Sequence, residues 1–137
     1  MAEWQTPKTD WISTDKFNIE DFNRIKNNLV YVKEQAALIW GDFEIIDMGE
    51  DITSYSAYWD VDKFNAFEAN VDIINEHMLS QDYGIRQTFY ENGAFIKWDE
   101  LNRIENAILR MKRIVDGRKA SLLRLSFRLG APNGLKL

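Results

Sequence analysis

Three stretches of the chain carry apolar residues in the same rhythm. Ile19, Phe22, Ile25, Leu29, Val32 and Ala36 form the first, and Val61, Phe64, Phe67, Val71, Ile74 and Met78 the second. Trp98, Leu101, Ile104, Ile108, Met111 and Val115 form the third. Each advances by 3, 3, 4, 3 and 4 residues, which keeps one stripe on a helix of 3.6 residues per turn. The spacing predicts helices over 19–40, 61–79 and 98–117. Its return in one register predicts a repeated helical motif. Asn18 with Asp21 three places on has the form of a capping box, and Asp60 precedes the second stripe. Lys97 is a poor cap for the third, although Asp99 and Glu100 suit a first turn. Arg110, Lys112 and Arg113 followed by Gly117 predict where that helix stops.

Polar positions recur as well. Asn23, Asn65 and Asn102 directly follow Phe22, Phe64 and Leu101. Asn28 and Asn70 match five positions later, where the third stretch has Ala107. Arg24 and Arg103 match, with Ala66 between them. Asparagine is a poor interior helix residue because its amide competes for backbone hydrogen bonds. Its recurrence beside a core position predicts an amide at the core edge that bonds a neighbouring backbone or loop.

Between the stripes, residues 41–59 are acidic with a turn at Met48-Gly49-Glu50. Gln87–Tyr90, then Asn92-Gly93, then Ala94–Lys97 read as a short β-hairpin, because Asn-Gly favours the type I′ turn. Leu122–Leu129 alternates imperfectly and reads as a strand or an extended arm. The predicted fold is mainly α, a three-helix domain on a repeated helical motif with a short β-hairpin and extended terminal arms. Its divisions are an N-terminal arm (1–17), the three-helix domain (18–120) and a C-terminal arm (121–137). Terminal segments fray unless something ties them down, so such arms either pack back on the bundle or reach to another chain, and large aromatic, aliphatic and Arg side chains anchor interfaces. Trp4 and Trp11 at one end, and Leu125, Phe127, Arg128 and Leu129 at the other, are therefore the candidate assembly interface.

Composition narrows the function classes. A chain of 137 residues, 45% hydrophobic and 28% charged, suits one globular domain. A net charge of −5 argues against a general nucleic-acid binder. The charge is uneven: residues 1–100 hold 8 basic and 20 acidic side chains, whereas residues 101–137 hold 9 and 2. Either the two parts neutralise each other within a subunit, or they attract head to tail between copies. The most apolar run, Leu29–Trp40, is broken by Lys33 and Glu34 and is too short to span a bilayer. No basic segment leads into an apolar stretch at the start, so the expectation is a soluble protein made in a cytoplasm.

Catalytic and ligand chemistry is thinly represented. There is no cysteine and one histidine, His77, which has no second imidazole to share a metal or a triad with. Asp47, Glu50 and Asp51 form an acidic loop without the alternating ligand pattern of a calcium site. Neither a Gly-rich phosphate loop nor a Gly-x-Ser-x-Gly elbow occurs. Carboxylate pairs for glycosidic cleavage are set by space and not by spacing, so the sequence does not decide on them. Tyr55, Tyr58 and Trp59 fit either a sugar-stacking platform or a helix-entry core. The expectation is no enzyme, no cofactor, no metal, and no nucleic-acid, membrane or small-molecule partner.

Trp11–Ala36 reads WISTDKFNIEDFNRIKNNLVYVKEQA, Trp98–Ile108 reads WDELNRIENAI, and Leu123–Gly130 reads LRLSFRLG. These segments resemble small structural proteins of tailed phages that infect Gram-positive bacteria. There, a W-x-x-x-D-x-F-N-x-x-D-[FY]-N-R-I opening, a D-E-L-N-R-I-E helix and a closing L-x-F-x-L-G recur. The likeness covers about half of the chain; residues 41–97 match by helical register alone, and Lys97 departs from the expected small polar residue. The resemblance implies a virion protein that joins copies of itself and other virion proteins in a tail, tail tip, collar or fibre. A carbohydrate- or receptor-binding module on the particle surface is the alternative.

Overall fold

Each apolar stripe becomes the inward face of a helix. The structure, a computed structural model, describes residues 3–53, 61–90 and 96–129. It contains α1 (Ile19–Trp40), α2 (Val61–His77) and α3 (Trp98–Leu129). All six residues of the first stripe are buried, as are Phe64, Phe67, Val71, Ile74 and Met78 of the second. Leu101, Ile104, Ile108, Met111 and Val115 of the third join them in one core. Trp98 departs from its stripe and is 45% exposed. Burying an aliphatic or aromatic side chain contributes roughly 1.5–3 kcal/mol, so this shared core is what holds the helices together. Phe22 meets Phe67 at 5.2 Å between ring centres, and Phe64 meets Phe17 at 5.6 Å, which fills the end where the helices begin.

Local chemistry sets the first two boundaries of this scaffold. The Asp21 carboxylate accepts the Asn18 N–H at 2.8 Å, as a capping residue should. Gly41 adopts φ +103°, which side-chain-bearing residues rarely enter, and its N–H closes on the Ala37 carbonyl at 3.1 Å. The start of α2 follows residue 60, which lies outside the described residues, as does the Asn92-Gly93 turn. No strand occurs among the described residues; Gln87–Tyr90, Ile96 and Lys97 are irregular.

The helices run parallel. Arg24 of α1 reaches Glu105 of α3, and further along the same pair Trp4 lies between Tyr31 of α1 and Lys112 of α3. Parallel helices cannot be joined by tight turns, so extended segments return along the grooves between them. Residues 41–53 lie between α1 and α2: Ile46 is held by Asn70 and Ile52 by Asn23. Residues 3–18 lie between α1 and α3: Gln5 is held by Asn28 and Trp11 by Asn102. Phe89, in the link from α2 to α3, is held by Asn65.

Residues 3–17 pack back on the bundle: Asn28, Asn102 and Glu105 bond their backbone, and Trp11 is 2% exposed. The expectation of a strand or extended arm over residues 121–129 is corrected, because α3 continues through Gly117 to Leu129. A mid-helix glycine costs only about 1 kcal/mol relative to alanine. The Lys112–Asp116 pair spans the turn before it, and residues 118–125 are mostly strong helix formers. The arm's apparent alternation contains a helical spacing, Val115, Arg118, Leu122, Leu125 and Leu129, that prolongs the third stripe.

Candidate functional site

Two features stand out: a buried polar lattice that ties the chain into a closed bundle, and a helical extension that leaves it. The lattice is built from the asparagines singled out in the sequence. Asn70, fully buried, accepts the Ile46 N–H at 2.8 Å and donates to the Ile46 carbonyl at 2.9 Å. Asn28 does the same for Gln5 at 2.9 and 2.7 Å, and Asn23 for Ile52 at 2.9 and 2.9 Å. Asn65 holds Phe89 at 2.8 and 2.9 Å, and Asn102 holds Trp11 at 2.8 and 2.9 Å. An extended segment in a groove has no ladder partner for its backbone, and an unpaired buried backbone group is costly. A carboxamide offers one acceptor and one donor side by side, which matches the two groups of a single residue.

Two buried glutamates complete the lattice, and the sequence reading missed both. Glu105, with no exposed surface, accepts Arg24 Nε at 2.7 Å and Arg24 Nη2 at 2.8 Å, together with the Lys8 N–H at 3.1 Å and the Trp11 indole N–H. Glu68 accepts Arg103 and the Gln87 N–H. Burial works against the charge of Arg24, but its hydrogen bonds to Glu105 and Asp21 outweigh that and raise its pKa. Arg103 is raised for the same reasons, through Glu68 and Glu100. The available signal was register: Glu68 and Glu105 both lie four residues after the Phe64/Leu101 position, where α1 carries Lys26. Lys26 turns the polarity round, donating to the Gly49 carbonyl at 3.3 Å and pairing with Asp51.

The six candidate interface residues do not form one patch. Trp11 is in the core, and Trp4 is half-buried over Tyr31 at 5.6 Å. Both rings fill the groove between α1 and α3, and Trp11 is too enclosed to serve as an outward anchor. Leu125 is 46% exposed on α3. Phe127, Arg128 and Leu129 belong to the last turn of α3, and their side chains lie outside the described residues. Past Val115, the last buried residue of α3 among the described side chains, the helix continues for 14 residues, about 21 Å at 1.5 Å per residue. Leu123 is 50% exposed on it and Leu122 is half-buried, with Arg118 and Arg124 exposed alongside.

Other candidate chemistry resolves into structure. His77 stacks on Phe43 at 4.4 Å and its Nδ1 lies 2.9 Å from the Ile73 carbonyl. Asp47 accepts the Gly49 N–H at 2.8 Å, and Asp51 bonds Asn27 at 3.0 Å. Among the described residues no three His, Asp or Glu side chains are grouped to hold a metal ion. No helix among them is long and apolar enough to cross a membrane. Tyr55, Tyr58 and Trp59 lie outside the described residues. Compared with known proteins, the chain matches no family model, no curated protein and no solved structure.

Proposed function

We propose that this chain is a structural protein of a phage virion. Assembled in the host cytoplasm, it joins copies of itself and other virion proteins in the tail, tail tip, collar or fibre, and it turns over no substrate. The observation that carries the reading is the α3 extension, a helix that leaves its own core while keeping exposed leucines, Leu123 and Leu125, in solvent. Apolar surface of this kind gains by association. The W-x-x-x-D-x-F-N and D-E-L-N-R-I-E segments supply the virion context, through their resemblance to phage structural proteins. In this reading the bundle is three copies of one unit, an extended segment followed by a helix. Support comes from the paired asparagine clamps, which grip residues six apart in two segments, Gln5 with Trp11 and Ile46 with Ile52.

The test is particle composition. Density-gradient-purified particles of a phage encoding this chain should contain it in multiple copies by quantitative mass spectrometry. A variant ending at residue 120 should fold and drop out of the particles. Recovery of the full chain only from the particle-free lysate overturns the reading.

A further inference from the structure

A groove on the body of the bundle is complementary to the α3 extension. It lies between α1 and residues 44–49, with a volume of about 290 Å³, and its apolar lining is Val30, Ile45, Ile46 and Met48. Ile46 is 46% exposed although its backbone is fixed by Asn70, so an apolar side chain is presented on a rigid mount. Glu34, Glu44 and Asp47 edge the groove. The two lysines that also line it are engaged, Lys26 with Asp51 and Lys33 with Asp42 at 3.0 Å. The α3 extension has the opposite character: residues 116–129 hold Arg118, Lys119, Arg124 and Arg128 against Asp116 alone. Lengths agree too. Lys26 to Glu34 spans about 12 Å of helix and Arg118 to Leu125 about 10 Å.

Resting on the assembly reading above, we infer that the α3 extension of one copy docks in the α1/44–49 groove of a second copy of this chain. Leu122 and Leu125 cover Val30, Ile45 and Ile46, while Arg118 and Arg124 face Glu34, Glu44 and Asp47. The extension cannot reach the groove of its own copy. Residues 26–34 of α1 stand level with the middle of α3, because Arg24 meets Glu105 early in α3 and Trp4 lies between Tyr31 and Lys112, and the continuous helix carries residues 119–129 onward past that level. Desolvated leucines give the contact its stability, and the opposed charges give it register and a salt-dependent rate of encounter. The contact joins two different surfaces, so repeating it generates a ring or an open filament and not a closed pair.

Two full-length variants test this. Leu122→Asp with Leu125→Asp disables the extension; Ile46→Asp with Glu44→Arg disables the groove. All four positions are outside the fully buried core, and circular dichroism melts check that both variants fold. By light scattering and analytical ultracentrifugation, the unaltered chain should form concentration-dependent oligomers, and each variant should associate at least tenfold more weakly. Mixing the two variants should restore a one-to-one dimer and nothing larger, because one good extension meets one good groove. A monomeric unaltered chain, a groove variant that assembles normally, or a mixture that stays monomeric overturns the docking. Particle composition reads the virion assignment separately: a groove variant that assembles normally and still enters particles defeats the docking and leaves that assignment standing.

Discussion

Replacing Glu105 by alanine removes one acceptor from three donors on two distant segments. Arg24 loses its contacts at 2.7 and 2.8 Å, the Lys8 N–H its contact at 3.1 Å, and the Trp11 indole its only carboxylate. Breaking a buried ion pair from one side costs about 3–5 kcal/mol, because the surviving charge is left unpaired. Arg24 keeps Asp21 at 2.8 Å and is 13% exposed, which favours the low end of that range. Two neutral donors left without a partner add about 1 kcal/mol each at least. The expected loss is therefore about 5 kcal/mol, a large part of the ~5–15 kcal/mol typical of a domain. With a urea slope of about 2 kcal/mol/M the midpoint falls by about 2.5 M. Equilibrium unfolding followed by tryptophan fluorescence and by far-UV circular dichroism measures it. Arg24→Met combined with Glu105→Leu should recover part of the loss, with a coupling energy above about 1.5 kcal/mol. A Glu105→Ala loss under about 1 kcal/mol, or strict additivity with Arg24→Met, would refute the idea that this carboxylate closes the bundle.

Other predictions follow from the same geometry. Asn70→Ala leaves the Ile46 N–H and carbonyl without a partner and should cost about 2–4 kcal/mol in urea unfolding; a neutral result would mean the 44–49 segment is held by packing alone. Gly117→Ala should stabilise the fold by about 0.5–1 kcal/mol, since the added methyl meets nothing within 4 Å. A lowered melting temperature for that variant would show that the helix bends there. Acid should weaken the fold through Asp51, whose carboxyl is held below its ordinary pKa by its hydrogen bonds to Lys26 and Asn27. A lowered folded-state pKa gives stabilisation that is present above the unfolded value, about 4, and that fades as pH falls through the folded value. The urea midpoint should thus decline below about pH 4, and less steeply in Asp51→Asn; identical slopes for the two proteins would refute this assignment.

Helix starts were legible because the stripes and the acidic first turns agree about them: Ile19, Val61 and Trp98 each begin a helix. The asparagine recurrence also disclosed its purpose, since a carboxamide next to a core position has a backbone to hold. The end of α3 was not legible. Glycine after a basic turn is the usual stop, and only the continuation of the Met111–Val115 spacing through Leu122 and Leu125 opposes it. The place of Trp11 was hidden for a different reason. Its partners, Asn102 and Glu105, are 91 and 94 residues away, a separation at which local pattern carries no information. Trp11 therefore looked like an outward anchor when it is part of the filling of the α1/α3 groove. Glu105 was masked by its own charge, because a glutamate on a helix usually faces water.

The hold of α3 on the first residues bears on the order of synthesis. Trp11 leaves the ribosome long before Asn102 and Glu105 exist, by on the order of ten seconds at ~5–20 residues per second. During that interval a tryptophan and its backbone groups have no lodging, and the Arg24 guanidinium has Asp21 but not Glu105. The newborn chain can shape α1 and α2, but its opening stretch stays exposed until the last helix is made. Such a chain is most vulnerable to proteases and to stray association while incomplete. In the proposed docking, contact through the α3 extension waits for α3 itself, because that piece is translated after the groove it would bind.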